Sequence, residues 1–164
     1  MACYTALRYK RNEKPMKHIY NDGGRLKAGF KGSSGDCVTR AIAIATGKPY
    51  IEVYNDIFAL GKEYAETRRD RTARTIKRKG ASPRDGVYKK VSREYINRLG
   101  LKWTPTMGIG TGCKVHLKDG ELPMGKLIVK VSKHFVAVID GEIHDTFDCS
   151  REGTRCVYGY WVVA

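Results

Sequence analysis

After Gly100 the spacing of apolar residues changes from helical to alternating, and that switch limits the fold more than any other feature of the chain. Upstream, Val38, Ala41, Ile42 and Ala45 recur at helical spacing from Cys37 to the stop signal Gly47-Lys48-Pro49. From about Tyr50 a second helix sets Ile51, Tyr54, Ile57, Phe58 and Tyr64 against Glu52, Asp56 and Lys62. Ser82-Pro83-Arg84-Asp85 reads as a helix start with proline at the first helical position. Its stripe of Tyr88, Val91, Tyr95 and Leu99 ends at Gly100. Downstream, 101–106, 126–131, 134–139, 142–147 and 157–163 read as strands. Helices followed by strands predict an α+β fold, with N-terminal helices packed on a C-terminal antiparallel sheet, rather than a doubly wound parallel sheet. At 164 residues the chain suits a single domain, 1–164. Within it lie a polar, basic arm over 1–36 that is irregular or a short strand, a helical part over 37–100 and a sheet part over 101–164.

Asp140-Gly141 between two apolar runs is a two-residue hairpin signal, and it fixes register: Ile139 faces Glu142, Val138 faces Ile143 and Val136 faces Asp145. His134, Val136 and Val138 then share one mostly apolar face with Ile143, Asp145 and Phe147. A histidine and a carboxylate become diagonal neighbours on a buried face, within reach of each other. Asp145 is therefore a better partner for His134 than Asp148 or Asp140. A core histidine satisfied by a carboxylate is the plainer explanation until a third residue is considered.

That residue is Cys37, which follows the flexible run Gly32-Ser33-Ser34-Gly35 and heads the first helix. A helix N-terminus presents free N–H groups and a positive dipole end, both of which favour the thiolate, the nucleophilic form of cysteine. Nucleophile, base and orienting acid are then all present: Cys37 attacks, His134 shuttles the proton, Asp145 holds the imidazole tautomer.

Charge is the strongest bias of composition. The net charge is +14, and between Thr67 and Lys90 ten cationic side chains face only Asp70 and Asp85. Such a segment is either a solvated face or a docking surface for an anionic partner. Arg68, Arg69, Arg71, Arg74, Lys77, Arg78 and Lys79 are its candidate residues, suited to an acidic protein or to nucleic acid. No stretch approaches the roughly 20 apolar residues of a membrane span. The N-terminus, Met1 to Arg8, lacks the basic-then-apolar pattern of a secretory signal. These features predict a cytoplasmic protein with no membrane partner, whose five sparsely spaced cysteines remain thiols.

The pattern resembles a papain-like fold cysteine peptidase, in which the nucleophile opens a central helix and the histidine and acid follow from the sheet. Gly35-Asp36-Cys37 with Arg40-Ala41-Ile42 is similar to the nucleophile motif of ovarian-tumour-type deubiquitinases. Asp36-Cys37, His134-Phe135-Val136 and Asp145 resemble the bacteriocin-leader peptidase pattern. The resemblance covers about 37–148 and implies a bacterial or bacteriophage-type thiol hydrolase acting on a peptide, isopeptide or related amide bond, without a cofactor. It departs at one place: Lys31 stands where those peptidases carry the glutamine that stabilises the oxyanion. Backbone N–H groups at Cys37 and in the loop ending at Gly35, with Asn21 as a side-chain helper, are the substitutes. The same triad also suits acyl transfer to an amine. The alternative outside catalysis is a basic protein on the same scaffold that binds nucleic acid or an acidic protein.

Other motifs carry less. Cys113-x-x-His116 with Cys149 and Cys156 is spaced too widely for a structural zinc site, so no metal is expected and buried thiols are the simpler reading. Gly108-Ile109-Gly110-Thr111-Gly112 lacks the lysine-serine ending of a phosphate loop and reads as a flexible loop near the cleft. Trp103, Tyr158, Tyr160 and Trp161 either pack the sheet or line a substrate groove.

Overall fold

The computed structural model describes residues 14–32 and 35–164; residues 1–13, with Cys3 and part of the expected arm, and the loop residues Ser33 and Ser34 lie outside it. The chain runs β1 (Lys17–Tyr20), α1 (Cys37–Thr46), α2 (Tyr50–Thr67), α3 (Arg71–Lys79), a 3-10 turn (Pro83–Asp85) and α4 (Lys89–Arg98). It continues through β2 (Trp103–Pro105), β3 (Lys126–Val131), β4 (His134–Ile139), β5 (Glu142–Asp145) and β6 (Val157–Val163). The fold is α+β, with one sheet ordered β1-β5-β4-β3-β6-β2. Only the edge strand β1 departs from the antiparallel expectation, pairing parallel to β5 with Tyr20 opposite Asp145.

The hairpin register is the one that Asp140-Gly141 dictates: Ile139 pairs with Glu142 and Val138 with Ile143. Both turn residues have positive φ, 47° and 79°, as this turn type requires. Strands β3 and β4 are buried on both faces. Ile128, Phe135, Ala137 and Trp161 meet the helices, while Leu127, Val129, Val136, Val138 and Ile143 pack beneath Met16, Leu117, Leu122 and Cys149. Alanines at 41, 43 and 45 let α1 lie close against the sheet, and its expected apolar positions are all buried.

Helix α2 buries Ile57 and Tyr64 of its expected stripe but not the rest of it. Val53, Ile57, Leu60 and Tyr64 face inward, whereas Ile51 is exposed and Tyr54 and Phe58 are half-buried. Both sets recur at helical spacing, and contacts decide between them: Phe30 covers Tyr54 at 4.7 Å, and the Lys62 ammonium sits 4.3 Å from the Phe58 ring centre. The expected helix from Pro83 is split. Ser82 caps one 3-10 turn, Gly86 leaves it at φ 123°, and α4 begins at Lys89. The basic segment contains the helix α3, whose carboxylate cap Asp70 accepts from the Ala73 N–H at 2.9 Å.

At the sheet's other edge, Trp103 lies 4.4 Å from Trp161, centre to centre, across Gly159. A Cβ on Gly159 would clash with Cζ2 and Cη2 of Trp103 and lie 2.7 Å from the Thr104 carbonyl oxygen. Gly159→Ala is expected to cost ~1–3 kcal/mol, read as a lowered denaturant midpoint at unchanged slope.

Candidate active site

Asp36 shapes the start of α1. Its carbonyl accepts the first helical bond, from the Arg40 N–H at 3.0 Å, so the N–H groups of Cys37, Val38 and Thr39 precede the helical ladder. Its carboxylate makes no cap and turns into the core. There it accepts from Tyr50 Oη at 2.6 Å and pairs with Arg40 and with Arg25, at 3.2 Å. Burial and the bond to Asp36 push the Tyr50 phenol upward, so it stays a neutral donor.

His134 begins β4 immediately after the turn residues Ser132 and Lys133. Its Nε2 lies 2.6 Å from Asp145 Oδ2. The other carboxylate oxygen of Asp145 accepts from Arg40 Nη2 at 3.1 Å and from the Thr146 N–H at 2.7 Å. Strand β1 holds the Asp145 backbone as well: its carbonyl accepts from His18 Nε2 at 2.9 Å and from the Asn21 N–H at 3.0 Å. Arg40 thus joins the helix that carries Cys37 to the acid that orients His134.

Cys37, half-buried, lines one cleft with His134 and Phe135. Burial alone would raise the thiol pKa; the His134 hydrogen bond and charge, the Phe135 N–H and the Arg40 charge outweigh it and bring the pKa below its ordinary value. Burial likewise works against the His134 imidazolium, yet Asp145, Cys149 and Cys37 overcome it and hold the ring protonated far above its usual range. Asp145 is depressed, its own burial being outweighed by His134, Thr146 and Arg40. Each shift favours the charged form: thiolate at Cys37, imidazolium at His134 and carboxylate at Asp145.

The pair makes stability depend on pH from both sides. A raised histidine pKa stabilises fully below the unfolded value, 6.5, and that contribution is lost as pH rises through the folded value. A depressed aspartate pKa stabilises above the unfolded value, 3.8, and its share is lost as pH falls through the folded one. The stability gap between wild type and His134→Phe, taken from urea midpoints, is therefore expected to be widest between about pH 4 and 6.5. A gap independent of pH would contradict the ion pair.

The cleft at Cys37 measures about 430 Å³ and is bounded by Gly35, His134, Phe135, Lys130 and Phe147, with Asp85 to Val87 also lining it. Gly35 is where the sequence places it. Asn21 is not: its amide nitrogen lies 3.3 Å from His144 Nδ1, its oxygen accepts from the Gly23 N–H, and it does not line the cleft. The Asx turn and the docking of β1 commit that side chain elsewhere, so it is no oxyanion donor. Neither Lys31 nor the 108–112 glycines line this cleft; Thr111 closes the latter into an exposed turn on Gly108.

Sequence spacing alone missed two neighbours. Arg40 is the one charged residue of α1, a signal that an otherwise apolar helix carries a buried ion. Cys149, wholly buried, sets its sulfur within 4.8 Å of a His134 nitrogen and an Asp145 oxygen. These three atoms are close enough together to hold a metal ion, but the direct His134–Asp145 bond and the Arg40 bond occupy the carboxylate, and a metal would have to break the first.

The other cysteines correct the expectation of free thiols. Cys113 and Cys156 form a disulfide, their Cα atoms 5.8 Å apart. A separation of 43 residues gives no spacing signal; the bridge between His116 and Cys156 and the Val157 N–H to Val115 carbonyl bond bring them together. The written zinc set is thereby dismantled, and His116 pairs with Glu121 at 3.2 Å.

All seven residues of the expected basic surface are exposed. Arg68 reaches Glu94 at 3.9 Å and lies over Tyr64, while Arg69, Arg71, Arg74, Lys77, Arg78 and Lys79 make no ion pair among the described residues. None of the described helices is long and apolar enough to cross a membrane. The chain matches no protein-family model, no curated protein and no solved structure, and no family is assigned to it.

Proposed function

We propose that this chain is a cysteine hydrolase cleaving a peptide or isopeptide bond, in a papain-like arrangement of Cys37, His134 and Asp145. The observation that carries the reading is His134, which bonds Asp145 through Nε2 and lines one cleft with Cys37. With Nε2 engaged, Nδ1 is the nitrogen left for the nucleophile. The Cys37 thiolate forms a C–S bond to the carbonyl carbon. The oxyanion is met by the Cys37 N–H, which no helical bond consumes. His134 then protonates the leaving nitrogen as the C–N bond breaks. Water, deprotonated by His134, displaces the thiolate and releases the acid.

The first test is iodoacetamide alkylation against pH, followed by mass spectrometry. Cys37 is expected to react rapidly well below the ordinary thiol pKa of about 8.5, and His134→Ala to return its profile toward that value. Wild-type Cys37 behaving as an ordinary thiol would defeat the proposal. Cleavage of an internally quenched peptide library by wild type, and not by Cys37→Ala, extends the test to hydrolysis; added amine nucleophiles separate hydrolysis from acyl transfer.

The unpaired cations of α3 favour a second reading, in which the exposed face docks nucleic acid or an acidic protein. Binding to a DNA or RNA duplex that weakens steeply with salt and survives Cys37→Ala would support it.

A further inference from the structure

Beside the catalytic cleft is a second hollow of about 90 Å³, and Lys130 and Phe135 line both. Phe135 and Trp161 stack in it at 5.9 Å and 12°, with Trp103 packed against Trp161. Three cations, Lys89, Arg93 and Lys130, line the same hollow, and no carboxylate does among the described residues. None of the three makes an ion pair there; Lys130 lies 4.4 Å from the Phe135 ring centre. Trp161 is 4 % exposed, and its indole N–H is buried without a hydrogen-bond partner. Burial lowers the Lys130 ammonium pKa, the charge of Cys37 opposes it in part and that of Lys89 adds to it, and a bound anion would relieve the remainder.

We infer that this hollow is a specificity subsite that receives the side-chain carboxylate of a glutamate or aspartate in the peptide bound at Cys37. The inference rests on the hydrolase reading for the peptide's presence and deepens it by naming the recognised residue. Three cations supply charged donors and the Ser92 and Tyr158 hydroxyls beside them can donate as well, while no carboxylate competes, which suits an ionised carboxylate. The apolar ring floor accommodates the methylenes that carry it. The volume corresponds to about three waters at ~30 Å³ each, which is the bulk of a carboxymethyl group. Continuity through Lys130 and Phe135 places the recognised residue next to the reacting bond.

The two tryptophans of the chain both lie at this hollow, so intrinsic fluorescence reports on it directly. Cys37→Ala is titrated with N-acetyl pentapeptide amides carrying one glutamate at each position in turn on an alanine background, and with their glutamine counterparts. The expected result is saturable binding of at least one glutamate peptide, about tenfold or more tighter than its glutamine twin, the worth of a charge-assisted bond. In Lys130→Met and Arg93→Met that ratio is expected to fall toward one. Equal binding of the two series, no binding of either, or a ratio that survives both substitutions overturns the subsite. Preference for phosphoserine over glutamate overturns the carboxylate assignment. The alkylation profile of wild-type Cys37 decides the hydrolase reading separately. A reactive Cys37 without glutamate preference removes the subsite alone, and glutamate binding beside an inert Cys37 removes the hydrolase alone.

Discussion

Arg40→Met is expected to destabilise the protein by ~3–5 kcal/mol, the cost of removing one partner from a buried ion pair. Methionine fills much of the same volume, so lost charge rather than lost packing is what the substitution measures. Arg40 is buried with both carboxylates it serves, Asp36 and Asp145. Asp36 keeps Arg25 and Tyr50, and Asp145 keeps His134, which holds the loss within that range. Arg40→Lys preserves the charge but not the fork that spans two carboxylates, so it is expected to fall between wild type and Arg40→Met. Both variants are also expected to slow alkylation of Cys37 near pH 6, because Asp145 no longer holds the imidazole from a fixed position. Chemical denaturation and the alkylation rate together distinguish this from a purely structural arginine, which would move the first and leave the second.

Reducing the Cys113–Cys156 disulfide is expected to cost ~4 kcal/mol on the chain-entropy account, since a closed loop of this length removes much freedom from the unfolded chain. The bond ties the loop before Leu117 to the start of β6, and Leu117 is fully buried beneath the sheet. Its loss is expected to loosen that layer first and then the surroundings of His134, since Val157 pairs with Val131 and Val131 with His134 at the same end of the sheet. Denaturant midpoints with and without reductant, and with Cys113→Ser/Cys156→Ser, check the size. A shift below about 1 kcal/mol would show that the unfolded chain is already held together there.

The hairpin and the placing of His134 beside Asp145 were legible because each rested on short-range chemistry. Asp140-Gly141 permits one turn, and that turn sets His134 and Asp145 on one face. Cys37 followed from its place at a helix start. What escaped depended on distant partners. Spacing on α2 fits two overlapping stripes that share Ile57 and Tyr64, and contacts with Phe30 and Lys62 hold Tyr54 and Phe58 at the margin. The pairing of β1 with β5 joins Lys17 to Glu142 across the length of the chain, and no local pattern encodes it. Asn21 has the chemistry of an oxyanion donor, but β1 carries it to His144 instead.

Strand β1 and the Arg40 link have a consequence for the protein as it is made. On a ribosome Arg40 emerges 105 residues before Asp145, about 5–20 s at ordinary elongation rates. Through that interval Cys37 is a plain thiol on a nascent helix, without base, carboxylate or completed sheet. Strand β1 waits equally long for its parallel neighbour β5. The cluster of Cys37, His134 and Asp145 therefore assembles only once residue 145 has been synthesised, and on the proposed hydrolase reading the shorter nascent chain is spared its own nucleophile.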